Sequence, residues 1–319
     1  MNKKVYVTRT LPTYVMKTLG NICEYDANSE ERQATRQELV NAFQNYAAVI
    51  TMLNDPIDAD LINQAGPDLK LIANYGVGYN NIDVAAATAK GIYVTNTPDV
   101  LTDATADTAF TLMFAAARRV IECDNIVRTG SFMWAPKYML GYDITGRTVG
   151  VIGAGRIGTN FGIKAARGFN MKVLYYSRRS SLHLESVGAQ RVGLEELLER
   201  SDFVSLHVPL TDSTRHLISA KELAKMKPDG ILINTSRGPV VDEKALADAL
   251  SRRVIAGAGL DVYENEPEVE PLLKTLKNVV LLPHIGTATF GTRREMGLMV
   301  IRNIEAVFAG KEPPQMVKA

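Results

Sequence analysis

Gly150-Val151-Ile152-Gly153-Ala154-Gly155-Arg156-Ile157-Gly158 decides the fold of this chain. Val149–Ile152 reads as a short apolar strand, and the Gly-x-Gly-x-x-Gly spacing after it opens a helix running from Arg156 to about Arg167. Gly153 permits a tight turn, Gly155 lets a pyrophosphate approach the backbone, and Gly158 lets helix and strand pack closely. The amides of Arg156 and Ile157 then face phosphates at a helix N-terminus. The spacing alone also occurs in ordinary loops. Its place between a strand and a helix, with a further strand at Lys172–Tyr175, makes it a dinucleotide site.

In such units a carboxylate roughly 20 residues further on bonds the adenosine ribose of NAD. Here that stretch reads Tyr175-Tyr176-Ser177-Arg178-Arg179. A carboxylate repels a 2′-phosphate, whereas arginine meets it with paired, charge-assisted hydrogen bonds. Ser177, Arg178 and Arg179 therefore predict a preference for NADP, with NAD still possible. The plainer reading is two solvated arginines on a loop.

Working outward, strand-like runs alternate with helical stretches almost throughout. Lys4–Val7, Ala47–Met52, Leu71–Asn74 and Ile92–Val94 read as buried strands, with helices such as Ala59–Gln64 and Val84–Lys90 between them. A long helix is expected from about Thr105 to Ile121, capped by Asp103 or Thr102. A second series supplies Val149–Ile152, Lys172–Tyr175, Phe203–Leu206, Gly230–Asn234, Ala256–Leu260 and Val279–Leu282, about six strands. The last helix, Arg293–Phe308, is too short to be a domain and is expected to return to the N-terminal unit.

The totals exclude several classes. With 46% hydrophobic and 22% charged residues the chain is globular, and at 319 residues it can bury two cores. A net charge of +1 gives no reason to expect nucleic acid or an anionic membrane. Cys23 and Cys123 stand far apart without a Cys/His cluster, which argues against structural zinc and suits a reducing cytoplasm. No apolar stretch approaches a membrane span, and Met1–Val7 carries no long apolar core of a signal peptide.

Three segments after the fingerprint carry reactive side chains at strand ends, where open parallel sheets bind ligands. They are Asn234-Thr235-Ser236-Arg237-Gly238-Pro239, then Gly259-Leu260-Asp261-Val262-Tyr263-Glu264-Asn265-Glu266-Pro267, then Leu282-Pro283-His284-Ile285-Gly286-Thr287. His284 reads as the only histidine at a strand's C-terminal edge; His207 reads as a buried strand residue and His216 as a loop residue. Singly, Arg237 fits a surface ion pair, Glu266 a solvated acid and His284 a core histidine. Together they suit reduction of a 2-keto acid. Arg237 bridges carboxylate and carbonyl oxygen, and His284 donates the proton while Glu266 orients its ring and favours its charged form.

At these residues the chain resembles the D-isomer-specific 2-hydroxyacid dehydrogenases, and most closely their glyoxylate/hydroxypyruvate reductase branch. The likeness also includes Asn74-Tyr75-Gly76-Val77-Gly78-Tyr79-Asn80-Asn81-Ile82-Asp83 and Thr97-Pro98-Asp99-Val100-Leu101-Thr102-Asp103-Ala104-Thr105-Ala106-Asp107. It implies an α/β fold of two Rossmann-like domains, usually assembled as a homodimer. A doubly wound parallel-sheet cofactor domain, 100–287, is inserted in a smaller flavodoxin-like substrate domain, 1–99 and 288–319.

The family's arginine, glutamate and histidine map onto Arg237, Glu266 and His284, and its nicotinamide-anchoring aspartate onto Asp261. Its substrate-carboxylate loop maps onto Val77 and Gly78, where Gly76 and Gly78 leave the backbone approachable. Thr105 resembles the residue beside the nicotinamide, and Val208-Pro209 ends a strand that borders adenine in relatives. Thr235 and Gly286 complete the expected cofactor contacts. Leu53, Met52 and Tyr75 are expected to shape the substrate pocket. Trp134 lies where relatives contact a second subunit, with core packing as the alternative.

The expected reaction is NAD(P)H-dependent reduction of glyoxylate or hydroxypyruvate. Alternatives are a D-lactate, formate or D-3-phosphoglycerate dehydrogenase, an NAD(H)-sensing corepressor-like scaffold, or an inactive paralogue. The end at Ala319 lowers the longer phosphoglycerate enzymes, and the presence of Arg237, Glu266 and His284 lowers the paralogue.

Overall fold

The computed structural model describes residues 3–318; Met1, Asn2 and Ala319, the outer ends of the expected substrate domain, lie outside the described residues. The chain folds into two compact units, one up to Leu101 and from Thr287 onward, the other Thr102–Gly286.

The first unit runs β1 (Val5–Val7), α1 (Thr13–Gly20), β2 (Tyr25–Ala27), α2 (Arg36–Asn45), β3 (Ala48–Thr51), α3 (Ala59–Asn63), β4 (Leu71–Asn74), α4 (Val84–Ala89) and β5 (Tyr93–Thr95). Its parallel sheet has the order β2-β1-β3-β4-β5, which is the flavodoxin-like winding. β3 and β4 are buried at every position because helices cover both faces, so they read as unbroken apolar runs. Sequence also places the helix starts. Thr35 and Glu38 form a reciprocal capping box at α2, and Asp58 and Asp83 cap α3 and α4 through the amides of Leu61 and Ala86.

The second unit contains α5 (Thr102–Ala117), α6 (Val120–Arg128), β6 (Thr148–Ile152), α7 (Arg156–Phe169), β7 (Lys172–Tyr176), α8 (Leu182–Glu185), β8 (Gln190–Arg191) and α9 (Leu194–Arg200). It continues with β9 (Phe203–Leu206), α10 (Ala220–Leu223), β10 (Ile231–Asn234), α11 (Glu243–Ser251), β11 (Gly257–Leu260) and β12 (Val279–Leu281). Read from its far edge, the sheet is β8-β7-β6-β9-β10-β11-β12, a doubly wound order that reverses between β6 and β9. Alternate residues of each strand enter opposite cores. Val149, Val151, Tyr175, Phe203 and Ile233 join α5 and α7, while Ile152, Leu174, Val204 and Leu232 join α9, α10 and α11.

Three expectations need correction. The helix expected over Thr105–Ile121 is two: α5 already includes Thr102 and ends at Ala117, and Arg119 then turns left-handed at φ 53° before α6. The expected six strands become seven in the second unit, because β8 adds an edge strand; β2 was likewise missed in the first. The last helix, α12 (Phe290–Phe308), starts earlier than expected and packs within the first unit against α1 and β4, burying Met296, Val300 and Ile304.

Candidate active site

The fingerprint forms the turn from β6 into α7. Gly153 has φ 101°, and a β-carbon there would lie 2.6 Å from the His207 carbonyl oxygen, while one on Gly158 would overlap the Gly153 carbonyl. At Gly155 a β-carbon would meet nothing within 4 Å. No protein neighbour demands glycine there, so the bare backbone fits a group arriving from outside. α7 opens without a side-chain cap, leaving first-turn dipoles for an anion. Thr235 adds a buried hydroxyl without a hydrogen-bond partner. Thr105, Asp261 and Gly286 are neighbours: a β-carbon on Gly286 would lie 3.1 Å from Asp261 Oδ2 and 3.6 Å from Thr105 Cγ2.

At the end of β7, Ser177 is half-buried and Arg178 and Arg179 are exposed. Among the described residues neither arginine is in an ion pair. The loop is braced from β8, where Arg191 donates through Nε to the Ser177 carbonyl at 3.1 Å and through Nη2 to that of Arg178 at 3.0 Å. Val208 and Pro209 follow β9, the strand across the reversal point from β6.

The reactive residues follow three adjacent strands, β10, β11 and β12. After β10, buried Asn234 accepts from the Ser236 amide at 3.0 Å and donates to the Arg237 carbonyl at 3.0 Å, shaping the turn that presents Arg237. Gly238 packs so closely on the backbone of Tyr263 and Glu264 that a β-carbon would overlap it. This contact places the Arg237 turn beside the segment carrying Glu266. Tyr263 in turn donates its hydroxyl to the Leu282 carbonyl at 2.8 Å, joining that segment to the one after β12.

His284 Nδ1 lies 2.7 Å from Glu266 Oε2, and the Tyr263 amide donates to Glu266 Oε1 at 3.0 Å. His284 has φ 55°, uncommon for a residue with a side chain. The turn is held by Asp261, whose oxygens accept the amides of Ile285 and Gly286, each at 2.7 Å. Burial pushes the Glu266 carboxyl up, but the His284 hydrogen bond and charge, the Tyr263 amide and Arg237 together leave it below its ordinary value. Burial lowers the Arg237 guanidinium while Glu266 pulls it back, and an arginine remains cationic regardless. Burial raises the Asp261 carboxyl against the two amides that favour its ionised form.

In the first unit, Val77 and Gly78 follow β4. Their carbonyls are taken by side chains, Asn96 Nδ2 donating to Val77 at 2.8 Å and Asn74 Nδ2 to Gly78 at 2.7 Å. Among the described residues the amides of Val77 and Gly78 donate to no protein group. Leu53 lies directly against Gly76, so it belongs to the same loop cluster. Met52 is nearby through Asn81, which donates to its carbonyl at 3.1 Å. Tyr75 is buried and donates to the Arg293 carbonyl at 2.6 Å, so its hydroxyl is committed to the fold.

Two further expectations change. His207 stands immediately after β9, continuing the ladder by donating to the Ile152 carbonyl at 2.8 Å, so His284 is not alone at a strand's C-terminal edge. Burial pushes His207 down to about 3, and its ring pairs with Ser205 Oγ at 2.9 Å, which makes it a neutral packing residue. Trp134 is 82% exposed with Phe132 and Met133 beside it, which rules out core packing for it. Sequence reading missed Gly238, Arg191 and Glu243. Each acts on backbone that is distant along the chain, and no local spacing signals that. Among the described residues no group of His, Cys, Asp and Glu is placed to hold a metal, and no helix is long and apolar enough to cross a membrane.

Residues 110–286 match the sequence profile of the D-isomer specific 2-hydroxyacid dehydrogenase NAD binding domain. Over 99% of this chain and 96% of the other protein, the sequence is 49% identical to a glyoxylate reductase of Thermococcus kodakarensis. A Thermus thermophilus protein of known crystal structure superposes with a TM-score of 0.92 at 40% identity, covering 99% of this chain and all of that one. An NADPH-dependent glyoxylate/hydroxypyruvate reductase of Sinorhizobium meliloti, solved with NADP and malonate, superposes with a TM-score of 0.85 at 33% identity, covering 99% and 97%.

Proposed function

Since the chain belongs to the D-isomer-specific 2-hydroxyacid dehydrogenase family, oxidoreductases with a nicotinamide-dinucleotide-binding domain, we propose that it reduces glyoxylate and hydroxypyruvate to glycolate and D-glycerate. The observation that carries this reading is the His284–Glu266 pair, at 2.7 Å, at the ends of β12 and β11, with Arg237 at the end of β10 beside β11. The substrate names of the relatives support the choice of acid.

The cofactor is held by Gly153, Gly155, Gly158 and the amides of Arg156 and Ile157, with Thr105, Val208, Pro209, Thr235, Asp261 and Gly286 as further contacts. A bound reduced nicotinamide supplies the hydride received by the carbonyl carbon. The Arg237 guanidinium binds the carbonyl oxygen and stabilises the negative charge that grows there. Glu266 occupies His284 Nδ1, so Nε2 carries the proton given to that oxygen, leaving a hydroxyl. The amides of Val77 and Gly78 hold the substrate carboxylate, and Leu53 limits the size of the acid.

Ser177, Arg178 and Arg179 favour NADPH over NADH, supported by the absence of a carboxylate at the end of β7. The units divide the labour, the sheet of β6–β12 serving the cofactor and that of β1–β5 the substrate. The exposed apolar stretch of Val120, Ile121, Val127, Phe132 and Trp134 supports assembly as a homodimer. A cytoplasmic, reducing location suits the two free cysteines.

The test is cofactor oxidation with glyoxylate, hydroxypyruvate, pyruvate and a bulkier keto acid, each with NADPH and NADH. Turnover should be fastest with the first two acids and NADPH. Cofactor binding without turnover on any acid would make the chain a sensing scaffold instead.

A further inference from the structure

Glu266 rides on an exposed loop, Asn265–Glu268, closed internally by the Glu268 amide donating to the Asn265 carbonyl at 2.9 Å. Loops held so lightly wander, yet Glu266 must meet His284 Nδ1 within hydrogen-bond distance. Beneath the loop lies Glu243, a carboxylate buried to 7% exposure in the first turn of α11. Its Oε2 accepts the Glu264 amide at 2.6 Å and its Oε1 accepts the Glu270 amide at 2.6 Å. These two amides flank Glu266 on either side. The Glu243 amide in turn donates to Glu264 Oε2 at 3.3 Å, and Glu264 Oε1 is 2.7 Å from His216 Nε2.

A buried carboxylate is costly unless every oxygen is satisfied, and here both are spent on the backbone of one loop. An apolar side chain would fill the same space with less desolvation, but it would leave both amides without an acceptor. We propose that Glu243 is a positioning residue for proton donation: its carboxylate clamps the Glu264–Glu270 segment at both ends and so fixes Glu266 against His284. This rests on the reading of His284 as the proton donor with Glu266 as its partner. The other charged groups around that pair are Arg237 and Asp261, with the Tyr263 phenol, and those around Glu243 are Glu264 and His216. None of them is altered in the variants below.

The test compares Glu243→Gln, Glu266→Gln and the double variant in the whole enzyme, following keto-acid reduction across pH at saturating NADPH. The carboxamide of Glu243→Gln keeps one acceptor and turns a second donor toward an amide. Its kcat should fall about ten- to hundredfold, since a small displacement of a reacting group is enough for that. The alkaline limb of its profile should move to lower pH, in the direction of Glu266→Gln, while the Kd for NADPH is unchanged. The double variant should be no slower than Glu266→Gln alone, because the clamp has nothing left to position. A wild-type pH profile in Glu243→Gln, or losses that multiply in the double variant, would overturn the proposal. An unchanged profile in Glu266→Gln would instead remove the underlying assignment of the proton donor's partner, and the proposal with it. If Glu243→Gln does not accumulate as folded protein, Glu243→Asp, one methylene too short to reach both amides, is held to the same two criteria.

Discussion

Gly238 and Tyr263 are in backbone contact, with no room for a side chain between them. The turn that presents Arg237 and the segment that presents Glu266 are therefore one packed unit. Their spacing is set by the missing β-carbon, and the Tyr263 hydroxyl bond to Leu282 ties the Glu266 segment in turn to the one after β12.

Gly238→Ala should lose activity well beyond its loss of stability. Overpacking of this kind costs about 1–3 kcal/mol, but the displacement falls directly on Arg237. Denaturant unfolding alongside kcat/KM checks this; wild-type values of both would show that the two segments move apart freely.

Arg237→Ala should lower kcat/KM by roughly 10²–10³-fold, the scale for removing a donor to a developing oxyanion. Cofactor Kd and Tm should change little, and Arg237→Lys should recover only part, since an ammonium lacks the planar fork. Aggregation of these variants would support a structural ion pair instead.

Replacing Ser177 by Asp and both Arg178 and Arg179 by neutral residues should turn preference toward NADH. Two charge-assisted bonds are worth roughly 1.5–3 kcal/mol each before screening, so NADPH affinity should drop on the order of tenfold or more. Equal kinetic constants for both cofactors in the unmodified enzyme would remove the basis of this expectation.

His207 predicts an acid-side loss of stability. Its folded value of about 3 lies below the ordinary 6.5, so above pH 6.5 neither state is protonated there and the histidine adds no pH dependence. Below that, the unfolded chain binds a proton that the folded one refuses, and stability falls by about 1.4 kcal/mol per pH unit from this group. Urea midpoints between pH 7 and 4 should fall more steeply in the wild type than in His207→Gln. Parallel curves would mean that the ring is protonated in the folded protein.

Glu266 has the same sign in a more acidic window. Its folded value lies below the ordinary 4.5, so its stabilising contribution is complete above pH 4.5 and is lost as pH falls through the folded value. The stability gap between wild type and Glu266→Gln should thus close as pH falls below 4.5. A gap that keeps growing below pH 4.5 would contradict a carboxylate held ionised by its partners.

The parts of this architecture written in local sequence were legible. Val149–Ile152, Phe203–Leu206 and Ile231–Asn234 announce themselves as fully buried runs, and Gly153 to Gly158 as a strand-to-helix turn. β2 and β8 gave no such signal, because edge strands bury little: Gln190 and Arg191 are both exposed. The break at Arg119 carries neither glycine nor proline, so nothing local warned of it. Arg237, Glu266 and His284 could be put forward from sequence because their chemistry is particular to their residue types, and the fold brings Glu266 against His284. Glu243 and Gly238 act through the backbone of residues 20 or more positions away, a relation that appears only on folding.

The strand order β8-β7-β6-β9-β10-β11-β12 has an electrical consequence. The loop of Ser177, Arg178 and Arg179 leaves β7, and the Arg237 turn leaves β10, three strand spacings away, or about 14 Å at ~4.8 Å each. The exposed guanidiniums of the first loop are screened over a Debye length of about 8 Å at physiological salt. On the proposed reading, charge at the coenzyme loop is thus only weakly felt at the Arg237 turn. If that reading holds, the sheet insulates the choice of coenzyme from the chemistry, and the loop after β7 can be rewritten while the reaction keeps its rate.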